Sequence, residues 1–169
     1  MLLYVDTGAS TPLTQGAHLN LDPVWSPDGK RIAYVSTQPN GYFNVFVVEV
    51  SDGKPGKPTQ LIQDHRYGKD RLYFGDYDVH LEPRWSPDGK EIVLLSNRGI
   101  PLGSGALWRM PVEPNGMERA QMILREQTLY RTRPDWSPDG KRILYSSHVG
   151  GQFSNLFVLP AQGGEPYKL

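Results

Sequence analysis

Three observations predict an all-β chain built from repeated four-stranded antiparallel sheets. The phrase WSPDGK occurs three times, beginning at Trp25, Trp85 and Trp136. Each copy is followed by the same order of short apolar runs and glycine- or proline-rich turns, and no stretch shows the apolar spacing of a helix. The copies stand about 60 and about 50 residues apart, room for four strands and variable loops in each unit.

Within a unit, the elements follow in order. The first strand ends at the tryptophan, in DPVW, EPRW and RPDW. The turn comes next. Pro27, Pro87 and Pro138 preset φ for the first central position of a type I turn. Asp28, Asp88 and Asp139 suit the second position, and Gly29, Gly89 and Gly140 supply the positive φ that closes a hairpin. Three equivalent turns are explained by geometry, so no catalytic role is assigned to the three aspartates. The second strand reads RIAYV, EIVLL or RILYS, apolar at successive positions, which requires cover on both faces. The third reads NVFVVEV, ALWRMPV or NLFVLPA, and a turn leads to the fourth, PTQLI, AQMIL or PYKL.

Small sheets buried on both faces in a repeating chain predict wedges packed around an axis, a β-propeller, with each tryptophan filling the space between neighbours. A two-sheet sandwich accounts for the turns but not for the threefold recurrence. The stretch LLYVDTGASTPLT aligns with NLFVLPAQGGEPYKL, so residues 1–16 read as the two outer strands of an incomplete blade. Residues 17–63, 79–125 and 126–169 are then complete blades, and 64–78 an insertion. The result is a partial propeller of about three and a half blades, whereas closed rings use about four to eight. An open arc is therefore expected, a segment of a larger ring, with an exposed sheet edge and apolar ends through which it could self-associate.

Composition narrows the function classes. The 169 residues are 38% hydrophobic, enough for a sizeable core, and 18 basic side chains balance 18 acidic ones. No cationic footprint for nucleic acid or anionic lipid is present. Without cysteine there are no disulfides, thiolate metal sites or thiol nucleophiles. The opening MLLYVDTGAS lacks the basic flank and length of a secretory signal, and no run is long enough to cross a bilayer.

Candidate binding residues fall in two places. In a four-stranded meander the SPDG turns emerge on one side and the variable loops on the other, so the variable side is the expected binding surface. The insertion QDHRYGKDRLYFGDYD brings Arg66, Tyr67, Arg71, Tyr73, Phe74 and Tyr77 there, residue types enriched at interface hot spots; the alternative is a self-packed surface loop. The innermost strands line the axis. Counted back from each tryptophan, Asn20, His80 and Arg131 share one register, and Asp22, Glu82 and Arg133 another, on the same face by strand alternation. A channel ringed by opposed charges either binds a polar or peptide ligand or is ordinary solvated lining. Asp78, His80 and Glu82 lie too far apart along one straight strand to converge on a metal, and no metal or other cofactor is expected. His18, His65 and His148 are isolated in sequence and read as surface or loop hydrogen bonders.

The proline two residues before each WSPDG, followed by a strand ending in serine, resembles the TolB-like propeller repeats over practically the whole chain. That resemblance implies a propeller fold. Such repeats occur in periplasmic partner-binding propellers and in propellers attached to prolyl oligopeptidase-type and amidohydrolase-type enzymes, so a periplasmic or secreted location follows from the resemblance alone. The segment DVHLEPRWSPDGKEIVLLSNRG looks most like the propellers that precede amidohydrolase-like domains. No G-x-S-x-G elbow, H-E-x-x-H, phosphate loop or dinucleotide fingerprint occurs; the GSG at Gly103–Gly105 has the wrong spacing. The expected function is a noncatalytic scaffold that binds a protein or peptide partner, or the rest of a longer chain. The alternative is a substrate-gating propeller of a larger hydrolase.

Overall fold

The computed structural model describes residues 1–63, 78–99, 105–125, 131–148 and 153–169, with Arg131 and Thr132 as backbone. The chain is all-β, a partial propeller whose sheets follow one another as an open series. A two-stranded hairpin, β1 (Leu2–Leu3) and β2 (Ser10–Thr11), comes first. The first blade contains β3 (Asn20–Trp25), β4 (Arg31–Ser36), β5 (Asn44–Ser51) and β7 (Thr59–Gln60), with β6 (Lys54–Pro55) folded back on the end of β5. The second contains β8 (His80–Trp85), β9 (Glu91–Ser96), β10 (Ala106–Pro111) and β11 (Gln121–Arg125). The third contains β12 (Arg131–Trp136), β13 (Arg142–Ser147), β14 (Asn155–Pro160) and β15 (Tyr167–Lys168). All of these pairings are antiparallel.

Each SPDG turn closes with a Gly N–H donated to the serine carbonyl at 2.9 Å, and Gly29, Gly89 and Gly140 sit at φ 68°, 69° and 69°. The serine is the hub of the turn. Ser86 Oγ accepts the N–H of Glu91 at 2.9 Å and gives its own proton to Asp88 Oδ1 at 2.6 Å, while that oxygen also accepts the Lys90 N–H at 3.1 Å. Ser26 and Ser137 repeat the arrangement. The serine hydroxyls first, and the lysine N–H groups next, hold the carboxyls of Asp28, Asp88 and Asp139 below their ordinary 3.8. A folded-state value below the unfolded one means that the turns stabilise the fold above pH about 4 and lose that contribution as the pH falls. Replacing the three aspartates together by asparagine is expected to flatten the acid limb of a urea-midpoint profile against pH; an unchanged limb would contradict this.

Both broad faces of each complete blade are apolar, as the unbroken apolar runs of the second strands require. Between the first and second blades, Ala33, Val45, Val47, Leu61 and Ile62 meet Trp85, Ile92, Leu94, Met110 and Met117. Between the second and third, Val93, Leu95, Leu107, Ile123 and Leu124 meet Ile143, Tyr145, Phe157, Leu159 and Ala161. The β1–β2 hairpin covers the outer face of the first blade, where Leu2 and Leu13 lie on Ile32, Tyr34, Phe46 and Val48. The third blade is the last of the described sheets. There Leu144 and Leu156 are 39% and 51% exposed, whereas their counterparts Val93 and Leu107 in the second blade are fully buried.

The tryptophans divide in the same way. Trp85 is 6% exposed, donates from Nε1 to Val24 O at 3.2 Å, and lies under the Arg31 guanidinium at 4.6 Å. Trp136 donates to Arg84 O at 3.2 Å. Trp25 departs from the expected role of filler and is 49% exposed; among the described residues the sheet packed before its blade contains β1 and β2.

Candidate functional site

The inner strands do not run straight. Leu21 pairs with Val35 and Val24 with Ala33, so Asp22 and Pro23 together oppose Tyr34. The same two-against-one bulge occurs in β8 and β12. It places Asp22, Glu82 and Arg133 at φ 50°, 53° and 51°, left-handed backbone that non-glycine residues avoid and that a following proline disfavours further. The even alternation expected between positions 20 and 22, and between 80 and 82, therefore breaks at the second residue of each pair.

A hydrogen bond across the blades accompanies the bulge. Glu82 N–H donates to Asp22 Oδ2 at 3.3 Å, and Arg133 N–H donates to Glu82 Oε2. The result is a ladder in which each blade's side chain holds the next blade's backbone. Burial, above all, lifts the Glu82 carboxyl above its usual 4.5; the Asp22 charge adds to this and the Arg133 N–H opposes it. Such a lifted carboxyl stabilises the fold fully at low pH and less as the pH rises through the lifted value. Glu82→Gln keeps an oxygen for the Arg133 N–H, and its denaturation midpoint is expected to stay flat above pH 4.5 where that of the parent declines. Glu82→Ala leaves that N–H without its acceptor and is expected to cost about 1–3 kcal/mol. Equal losses in the two variants would exclude the ladder.

The other axis candidates separate. His80 is 1% exposed, while Asn20 is half-buried and donates from Nδ2 to His18 O at 3.0 Å. For Arg131 the backbone pairs with Ser147. His18 is exposed; His65 lies outside the described residues, and His148 is half-buried just beyond β13. Asp78 is buried, and among the described residues no three acidic or histidine side chains gather where a metal ion could be held.

The bases of the variable loops are tied by polar residues that sequence reasoning passed over. Ser36 and Ser96 end the second strands, and their hydroxyls accept the N–H two residues on, from Gln38 at 3.2 Å and Arg98 at 3.1 Å. Thr37 Oγ1 accepts the Leu19 N–H at 3.0 Å, and Asn97 Oδ1 accepts the Val79 N–H at 2.7 Å. On the third strands, Asn44 and Asn155 reach back to the carbonyls of Tyr42 and Phe153 at 3.3 and 3.1 Å. The recurrent serine and the polar residue after it, in VST and LSN, were the available signal. Arg66, Tyr67, Arg71, Tyr73, Phe74 and Tyr77 lie outside the described residues.

On the opposite side the SPDG turns stand in file. A Cβ placed on Gly89 would sit 3.8 Å from the Pro27 ring, and one on Gly140 3.7 Å from the Pro87 ring. This side is regular; the other varies from blade to blade.

Comparison with known proteins agrees with this architecture. A family model described as the TolB beta propeller domain matches residues 1–160. A TolB homolog of Chlorobium luteolum is 31% identical over 167 residues, covering 95% of this chain and 31% of the relative. An uncharacterized peptidase of Bacillus subtilis, YuxL, is 31% identical over 93 residues, 55% of this chain and 12% of that protein. The crystal structure of TolB from Acinetobacter baumannii superposes with a TM-score of 0.69 at 23% identity, covering 99% of this chain and 36% of that one. The chain thus spans about a third or less of each of these proteins. From the three bulged inner strands, the repeated serine-centred turns and the match over residues 1–160, the chain belongs to the TolB beta-propeller domain family.

Proposed function

We propose that the segment is a noncatalytic scaffold that binds a protein partner through its variable-loop side. The observation that carries this is the similarity to a TolB homolog along 95% of the chain, an alignment that runs through all of the repeats. The physical support is the contrast between the two sides. One is a file of near-identical turns, and the other carries loops of differing length on polar-tied bases, the usual place for recognition on a rigid frame. The insertion supplies arginine and tyrosine, side chains that combine large contact area with hydrogen bonding.

A photoreactive amino acid at position 73 in the full-length protein, expressed in its own host, is expected to yield a discrete protein adduct. The same probe at Lys30, on the turn side, is expected to yield none. Equal labelling at both positions would contradict the assignment. Once the adduct is identified, Tyr73→Ala with Phe74→Ala should weaken its binding about thirtyfold, the scale of a hot spot near 2 kcal/mol. Undiminished affinity would remove the insertion from the site.

A second reading rests on the similarity to the peptidase YuxL, in which the propeller would admit substrate to a hydrolase domain elsewhere in a longer chain. Turnover of short peptide amides by the full-length protein would favour it. Inactivity on such substrates, together with the position-73 adduct, would favour the scaffold.

A further inference from the structure

The triplet Pro-Asn-Gly occurs twice, at Pro39–Gly41 and at Pro114–Gly116, so the same local chemistry stands in two environments. An asparagine before glycine is the pair most open to ring closure: the glycine nitrogen attacks the side-chain amide carbon, and no Cβ on the glycine hinders it. What differs here is the freedom of each backbone to bend into that ring.

Asn40 is exposed, in the variable loop between β4 and β5. Gly41 is exposed too, and a Cβ placed on it would meet nothing within 4 Å. Its N–H donates to Thr37 O at 2.8 Å, a bond at the surface for which water can substitute. Asn40 Oδ1 accepts the Tyr42 N–H at 3.2 Å, and this is the oxygen on which negative charge develops when the amide carbon is attacked. Asn115 is held differently. Gly116 is buried, and a Cβ on it would lie 2.2 Å from Pro111 O and 3.4 Å from Met110 Cε. Its N–H donates to Glu113 O at 3.0 Å, and Asn115 O accepts the Glu118 N–H at 2.9 Å at the start of the 3₁₀ turn Gly116–Arg119. The next residue, Met117, is fully buried between the first and second blades, and its carbonyl accepts from Arg98. Turning the Asn115–Gly116 peptide to close a ring would draw Met117 out of that core.

The structure assigns Asn40 as a site of spontaneous deamidation and Asn115 as its protected counterpart. Gly41 N bonds to Asn40 Cγ, the bond from Cγ to the amide nitrogen breaks, and the glycine proton leaves with that nitrogen as ammonia. The product is a succinimide, which one water opens to aspartate or isoaspartate. No other reagent is consumed. The change adds one negative charge to the variable-loop side of a chain whose formal net charge is zero, and it follows from the chain's own backbone whatever that side binds.

Peptide mapping by mass spectrometry follows both sites in the full-length protein held at mildly alkaline pH, native and in guanidinium chloride. In the denaturant the two asparagines are expected to convert at similar rates, since their immediate neighbours match. In the native protein Asn40 should convert at least about tenfold faster than Asn115, because an exposed loop opens at far lower cost than a segment anchored in the core. Asn40→Gln would need a larger ring and should abolish the change at position 40 while leaving Asn115 as slow as before. Three results would overturn the assignment: equal native rates at the two sites, faster native conversion of Asn115, or an Asn40 that stays intact in the native protein over a period in which it converts fully in the denaturant.

Discussion

Trp85→Ala is expected to destabilise the fold by about 3–5 kcal/mol, the range for truncating a large buried aromatic side chain. The ring sits at the junction of the first two blades among Ala33, Ile92 and Met110, its indole N–H is held by Val24 O, and the Arg31 guanidinium lies over its face. Alanine removes the packing, the hydrogen bond and the cation–π contact together, and leaves a void between two sheets that cannot close without shifting a blade. Trp25→Ala removes the same residue from the same phrase, yet is expected to cost less than about 1 kcal/mol, since half its surface already faces water. Urea denaturation followed by circular dichroism compares the two directly. A Trp25 loss as large as the Trp85 loss would mean that the half blade shields its neighbour fully, contrary to the packing described above.

Gly105→Ala is the second severe change, expected to cost about 3 kcal/mol or more because strained backbone and a steric clash act together. Gly105 has φ +97°, and a Cβ there would lie 2.3 Å from Ser96 O and 2.7 Å from Asn97 N. Both atoms are backbone at the end of β9, so nothing flexible can give way. Relief requires separating Ala106 from its partner Ser96 and so opening β10 at the foot of a variable loop. Gly29→Ala provides the contrast. Its φ is +68°, but a Cβ would meet nothing within 4 Å, so only the backbone preference of about 1–2 kcal/mol is lost. Thermal melting separates the two, and a Gly105→Ala protein as stable as Gly29→Ala would refute the clash.

Much of this architecture is legible in the residue letters, for identifiable reasons. Proline, aspartate and glycine in fixed order encode a turn through their own backbone limits, with no help from the rest of the molecule. Apolar residues at successive strand positions demand cover on two faces, which neighbouring sheets provide here. Other features leave no such trace. A non-glycine residue before proline reads as extended, so Asp22, Glu82 and Arg133 gave no sign of left-handed backbone; a bond from the neighbouring blade accompanies that conformation at Glu82 and Arg133. The burial of His80 was hidden for a related reason, since alternation along a strand predicts a face but not what lies against it. Trp25 and Trp85 show the limit most plainly, identical in their local phrase and different in environment because of what precedes each blade.

The identity of the groups at every complete junction has a bearing on how such chains grow. A unit copied by gene duplication and spliced in at any seam would find a carbonyl waiting for its indole on one side and an indole waiting for its carbonyl on the other. That bond between backbone and indole asks nothing of the neighbouring side chains, whereas the second bond of the seam needs an acceptor such as Asp22 or Glu82 on the preceding unit, so lengthening the series is constrained at that one position.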